Sequence, residues 1–280
     1  MVVIGIDVGG STTKIAGFTD SGKLIDPIFV AAADPVTSIY GAFGRFLSEN
    51  NLELSDIKEV IATGAGAAYI TKPIYGLECR HESEFDCIGR GGIYLSGLEQ
   101  VITVSMGTGT AIVHAVKGKS VEYLGGTGVG GGTIMGLSNK MLGLDSIESI
   151  TELASKGNLR NVDLMVGDIS RKKVLKGMPG DLTASNFGKV SDMASKEDLA
   201  LGIINMVFES IAMLAVFAAR NCKTNDIVLT GNLTTIQKCS EIFTTLSDMF
   251  KLNFIIPKHS QYATVIGAAL AFFDHASEEK

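Results

Sequence analysis

The stretch 7-DVGGSTTK-14 gathers what is needed to hold a phosphate. Gly9 and Gly10 allow close backbone approach, Ser11, Thr12 and Thr13 add hydroxyls, and Lys14 adds a positive charge. The Walker A spacing does not occur, and Asp7 would repel a phosphate unless a cation lay between them. An aspartate ending a strand beside a glycine turn therefore implies Mg²⁺ held partly through water. The same residues also suit an aspartate capping a tight hairpin. What separates the two readings is a second copy. The segment 3-VIGIDVGGST-12 aligns without gaps on 101-VITVSMGTGT-110, 98 residues further on, with Ser105 in the place of Asp7. Two such hairpins facing each other would clasp a triphosphate from both sides, only one of them needing the carboxylate.

A third glycine cluster, 121-VEYLGGTGVGGGT-133, poses a different question. Gly126, Gly128 and Gly131 spell G-x-G-x-x-G between a β-leaning run and a helix-like run, with Asp145 and Glu148 about 20 residues on, as a dinucleotide-binding fingerprint requires. The triplet is part of a longer glycine run, Gly125 to Gly132, in a chain whose other motifs hold a triphosphate. The expectation is that amides opening this helix face a nucleotide phosphate. The strand 228-VLTGN-232 ends in small residues, and 263-ATVIGAAL-270 opens a helix with them. Together they could form a slot for a purine, or Gly267 and Ala268 could serve helix packing. In 80-RHESEFD-86, Glu82, Glu84 and Asp86 are each able to act as a general base, and the residues alone do not choose among them.

The elements that must position these groups follow an α/β pattern. Strands are expected over 2–10, 12–20, 23–32, 57–66 and 101–107, a hairpin over 109–126 turning at Gly118, and later strands over 226–232 and 252–257. Helices are expected over 36–49, from about 81, and over 133–144, 146–156, 161–175, 198–221, 234–250 and 264–278. The polar stretch 176–196 reads as a long loop, a candidate closing lid. A repeat of 98 residues implies duplicated half-structures and not a solenoid. The division expected is 1–98 plus the C-terminal helix 264–280 as one lobe and 99–263 as the other.

Composition narrows the class. With 280 residues, 46% of them hydrophobic, and 33 Gly against 5 Pro, the chain suits an aliphatic α/β protein with many close backbone approaches. A net charge of −6 without a Lys/Arg run argues against a nucleic-acid surface. The N-terminus lacks a signal-peptide pattern, and the apolar run 202–219 carries Glu209 and Ser210 at its centre, so it reads as a buried helix and not a membrane span. Cys79, Cys87, Cys222 and Cys239 show no zinc spacing, which fits reduced thiols in a cytoplasmic protein. His114, His259 and His81 read as structural or solvated groups.

In this order, a phosphate hairpin with Asp7, a second phosphate hairpin and an adenosine-side glycine strand resemble the sugar-kinase/Hsp70/actin superfamily. Within it, 84-EFDC-87, 125-GGTGVGGGTIMGL-137 and 179-PGDLTASNFG-188 resemble the type II pantothenate kinases, over essentially the whole chain. The resemblance implies an actin-like ATPase fold of two duplicated lobes with the nucleotide cleft between them, ATP and Mg²⁺ as cofactors, and a homodimer built on helix 202–220. It implies phosphorylation of the primary hydroxyl of pantothenate or a close relative, the first step of coenzyme A biosynthesis. Glu84 falls on the catalytic glutamate and Asp7 on the metal-binding aspartate. Val8, Gly9, Gly10, Ser11, Thr12, Thr13, Lys14, Thr108, Gly109, Gly131, Gly132, Thr133, Ile134 and Met135 fall on ATP-contacting positions, and Gly231 and Asn232 on the adenine border. Thr108, Ala111 and Tyr123 fall beside the acceptor.

Two of these depart from the pattern. Tyr123 stands where an arginine usually meets the carboxylate of pantothenate, and Ala111 where a serine is frequent. Losing a guanidinium–carboxylate pair removes a contact worth about 1.5–3 kcal/mol. Lys117, Lys119 or Arg90 could compensate, or the acceptor could lack the carboxylate, as pantetheine does. Two other classes fit part of the sequence. The stretch 4-IGIDVGGSTTK-14 also resembles activators of 2-hydroxyacyl-CoA dehydratases, which hold an iron–sulfur cluster through cysteines in the second lobe. A kinase-like nucleotide sensor without catalysis is the other.

Overall fold

A computed structural model describes residues 1–31, 34–169 and 180–278. The chain opens with β1 (Val2–Val8), β2 (Thr12–Thr19) and β3 (Leu24–Ala31), followed by α1 (Pro35–Asn50), β4 (Ile57–Thr63) and β5 (Cys79–His81). These five strands form one sheet in the order β3-β2-β1-β4-β5. Then come α2 (Glu84–Ser96), β6 (Gln100–Met106), β7 (Thr110–Val116), β8 (Glu122–Thr127), α3 (Gly131–Leu142), α4 (Ile147–Ala154), β9 (Leu164–Met165) and α5 (Val166–Ile169). The remainder comprises β10 (Thr183–Ser185), α6 (Lys196–Cys222), β11 (Asp226–Thr230), α7 (Gln237–Phe250), β12 (Asn253–Ile255) and α8 (Ala263–Glu278). The second large sheet has the order β12-β11-β6-β7-β8.

Read from the other edge, the second sheet repeats the first. β1 pairs antiparallel with β2 and parallel with β4, and β6 does the same with β7 and β11. The repeat is imperfect at the turns. Val8 pairs with Thr13 but Met106 pairs with Thr110, so the second turn is one residue shorter. β1 and β6 are apolar runs buried on both faces, as central strands must be. One core fills the space between the first sheet and α1, with Ile4, Ile6, Phe43 and Phe46. The larger core surrounds α6 and the second sheet, with Val104, Phe208 and Leu229.

Helix α8 covers the other face of the first sheet, through Val265, Ile266 and Ala269 against Ala16 and Phe18. Helix α2 lies on the second sheet, with Gly92 against Thr103 and Gly89 against Val121. The two helices cross where the lobes meet, and the crossing is closer than side chains permit. A methyl group on Gly91 would overlap the Ala263 carbonyl, and one on Gly267 the Cys87 carbonyl.

Two sequence expectations need correction. The helix expected over 161–175 is not formed across its described part: residues 164–165 are strand β9, and only Val166–Ile169 are α-helical. The cause is Asp163, fully buried, whose carboxylate accepts from Phe187 N (2.8 Å), Asn205 Nδ2 (3.1 Å) and Asn186 Nδ2 (3.4 Å). Those donors hold β10, antiparallel to β9, together with the residues after it against α6. The stretch expected as a lid, 176–196, is therefore tied down from Thr183 to Phe187 and lines no part of the cleft in its described residues; 176–179 lie outside the described residues.

Candidate active site

Turns at the ends of β1 and β6 meet across the space between the lobes. Gly9 N donates to Thr12 O (3.0 Å), and Gly107 N to Gly109 O (2.9 Å). The turns face each other closely enough that a methyl on Gly10 would lie 3.7 Å from Thr108 Oγ1. Between them opens a cleft of about 630 Å³ lined by Asp7, Gly9, Gly10, Ser11, Thr12, Lys14, Glu84, Thr108, Gly109, Ala111, Tyr123, Gly231 and Asn232. A second cavity of about 380 Å³ shares Ser11, Thr12, Thr108 and Asn232 with it and adds Gly131, Gly132 and Met135. Most of the sequence-derived site thus lines this pair of adjoining cavities.

Four of those residues do not line it. Val8 and Ile134 are fully buried in the apolar cores. Thr13 is buried on β2 with its hydroxyl unpartnered. Thr133 turns its hydroxyl back on the segment before its helix, accepting from Gly130 N (3.2 Å) and donating to Gly128 O (3.1 Å). The amides expected to face a phosphate are also spent. Gly131 N donates to Gly107 O and Gly132 N to Thr108 O, both at 2.9 Å, while Thr133 N and Ile134 N donate to Gly130 O. At Gly131 and Gly132 the glycine run therefore braces the 107–109 turn from behind instead of presenting free donors. Its glycines are needed because a side chain at Gly130 would strike Thr108 O.

Asp7 reaches the cleft but is surrounded deeply by protein, and desolvation pushes its carboxyl up to about 6, opposed by Lys14 and reinforced by Glu84. Among the described residues it makes no hydrogen bond. Lys14, its partner across the hairpin, is buried; desolvation lowers its pKa while Asp7 raises it, and its Nζ donates to Gln261 O (2.6 Å). Glu84 is the first residue of α2, behind the N-cap Ser83, and opens to the cleft. Desolvation raises its pKa. Of its sequence rivals, Glu82 ion-pairs with Arg80 (3.6 Å), and neither Glu82 nor Asp86 lines the cleft.

Gly231, which also lines the cleft, is at φ +90°, where a methyl would strike the Met106 backbone. Its N–H donates to Ser260 O (3.0 Å). Of the two roles left open for the 263–270 segment, Gly267 and Ala268 take the helix-packing one, at the contact of α8 with α2, and of that segment only Thr264 reaches the cleft. The groups offered as substitutes for the missing arginine are also elsewhere. Arg90 pairs with Asp274 (2.6 Å) and Gly267 O, and Lys117 with Glu99 (2.8 Å) at the far end of the β7–β8 hairpin, which Lys119 shares.

One contact was invisible in the sequence. Phe85, next to Glu84, stacks on Tyr123 with ring centroids 4.0 Å apart and planes 20° from parallel. Both rings are partly open, 38% and 49% exposed.

The sequence profile of the Fumble family matches residues 98–271. A type II pantothenate kinase of Bacillus cereus (strain G9842) is 29% identical over 275 residues, covering 92% of this chain and 89% of that protein. One from Staphylococcus aureus (strain USA300) is 31% identical over 257 residues, covering 87% and 90%. Among solved structures, the activator of the 2-hydroxyisocaproyl-CoA dehydratase from Clostridium difficile with bound ADPNP superposes with a TM-score of 0.68 at 16% identity, covering 100% and 97% of the two chains. A ROK family glucokinase from Streptomyces griseus in complex with glucose and AMPPNP gives 0.61 at 12% identity, covering 96% and 98%. The fold is that of the actin-like ATPases and sugar kinases. The likeness to the dehydratase activator is one of fold alone, and no cysteine stands between Cys87 and Cys222 to hold a cluster in the second lobe.

Proposed function

Because the chain belongs to the type II pantothenate kinase (Fumble) family, we propose that it transfers the γ-phosphoryl group of ATP to the primary hydroxyl of pantothenate or a close relative such as pantetheine, opening coenzyme A synthesis. The observation that carries this is the convergence of Glu84, Asp7 and the two glycine turns on one cleft. Glu84 takes the proton of the attacking hydroxyl, the oxygen–Pγ bond forms, and the Pγ–O bond to the β-phosphate breaks to release ADP. The turns 9–12 and 107–109 hold the phosphates in line for that displacement. Desolvation suits Glu84 to the task by raising its pKa toward the working pH.

A buried carboxylate without hydrogen bonds fits Mg²⁺, and a single protein oxygen suits an ion that keeps several waters and takes its other ligands from phosphate. Asp7 would hold it, and the ion would neutralise charge on the phosphates. Assembly and setting belong to the same proposal. Helix α6 is long and apolar enough to cross a membrane, yet most of it is buried in the fold. Its Leu214 and Phe217, 39% and 56% exposed, fit the surface of a homodimer. The four free thiols fit the cytoplasm. The lobe division at residues 98–99 and 263–264 is likewise proposed, with α2 as the element that touches both.

Glu84→Gln tests the central assignment. The variant should bind ATP as the parent does, while kcat falls about 10²–10⁴-fold. The parent's rate should fall as pH drops through the raised pKa of Glu84, since the base must be ionised. Unaltered turnover in the variant, or ATP binding with no transfer to any such alcohol in the parent, refutes the reading.

A further inference from the structure

Among the described residues, the charged groups lining the cleft are Asp7, Lys14 and Glu84. Lys14 is committed to the Gln261 carbonyl and faces Asp7, so the one cation is held on the phosphate side. Beside Glu84 the wall is uncharged and aromatic. Phe85 follows it on α2 and stacks on Tyr123 of β8, while Ala111 of β7 presents only a methyl. The bulge between Ile112 and Val113 pairs Tyr123 with Val113 and sets its ring on this wall. A methyl on Gly126 would lie 3.0 Å from Tyr123 Oη, so the glycine makes room for the ring.

Ring faces carry partial negative charge and ring edges partial positive charge. A carboxylate over such a face meets repulsion from the ring and from two carboxylates, with no cation among the described residues of this wall to offset it. An amide offers N–H and methylene edges to the same face and carries no charge to desolvate.

We infer that this cleft selects an uncharged acceptor in which an amide replaces the carboxylate, of the pantetheine or N-alkyl pantothenamide kind, over the free acid, with Phe85 and Tyr123 as the specificity-determining residues. The inference rests on the proposed phosphoryl transfer and narrows its acceptor class.

The test is ADP release from Mg-ATP by the full-length chain with three acceptors in parallel: pantothenate, N-pentylpantothenamide and pantetheine. Both amides should be used with kcat/KM at least tenfold above that of pantothenate. Tyr123→Arg should raise kcat/KM for pantothenate at least tenfold and lower the amide preference, whereas Tyr123→Phe should leave the preference intact. A parent enzyme that uses pantothenate as well as or better than the amides overturns the inference while upholding the transfer. No turnover with any of the three overturns the transfer and the inference together. The parent's ratio decides without the variants, so a misfolded Tyr123→Arg chain leaves the result standing.

Discussion

Asp7 should weaken the protein that contains it. Its carboxyl titrates at about 6 in the folded chain against an ordinary 3.8, because burial disfavours the charged form more than Lys14 favours it. The folded state thus holds the proton more tightly than the unfolded state, and unfolding releases it. Stability must therefore fall as pH rises from about 4 through 6, the reverse of the usual salt-bridged aspartate. A difference of roughly two pH units corresponds to about 3 kcal/mol, at 1.36 kcal/mol per unit. Asp7→Asn removes the titration and keeps the shape. Urea unfolding of both proteins, free of metal and nucleotide, should give similar stabilities near pH 4 and an advantage of up to about 3 kcal/mol for the variant at pH 7.5. The same variant should lose turnover with Mg-ATP, a trade of stability for activity. Parallel stability curves across that range, or a growing advantage for the parent, would refute the argument that Asp7 is an unpaired, desolvated carboxylate.

Two further substitutions probe the frame around the site. Gly91→Ala forces α2 away from the Ala263 carbonyl and moves Glu84 two turns up the same helix; kcat should fall up to about a hundredfold with a stability loss of about 1–3 kcal/mol, and steady-state kinetics with urea unfolding would expose a fully active, stable variant as a contradiction. Asp163→Ala strips buried donors at Phe187 and Asn205 of their acceptor, at a cost of about 3 kcal/mol, and should speed limited proteolysis between 183 and 195; an unchanged cleavage rate would show that the carboxylate does not hold that segment.

Local signals carried the framework. The glycine hairpins, their repetition 98 residues apart and the strand ending at Gly231 rest on neighbouring residues, and the two sheets repeat as that spacing implied. What failed depended on distant partners. The apolar periodicity of 161–175 reads as a helix until Asp163 draws donors from residues 183–205 into the core. Val8, Thr13 and Ile134 sit inside motifs whose sequence reads as phosphate-binding, but alternation along a strand and rotation along a helix turn their side chains to the core. The glycine run after Gly125 reads as an anion site, but the turn at 107–109 takes the amides of Gly131 and Gly132, and Gly130 O takes the next two. Phe85 gave no signal, since its ring matters only through Tyr123, which comes from strand β8.

The crossing of α2 and α8 has a genetic consequence. In an ordinary core contact a residue that grows can be forgiven by a neighbour that shrinks. Here each glycine abuts a carbonyl of the opposite helix, Gly91 that of Ala263 and Gly267 that of Cys87, and a carbonyl cannot be made smaller by mutation. No side-chain exchange at the contact can restore the fit. Intragenic suppressors of a substitution at either glycine should map away from the contact, to residues that let one helix shift along its sheet.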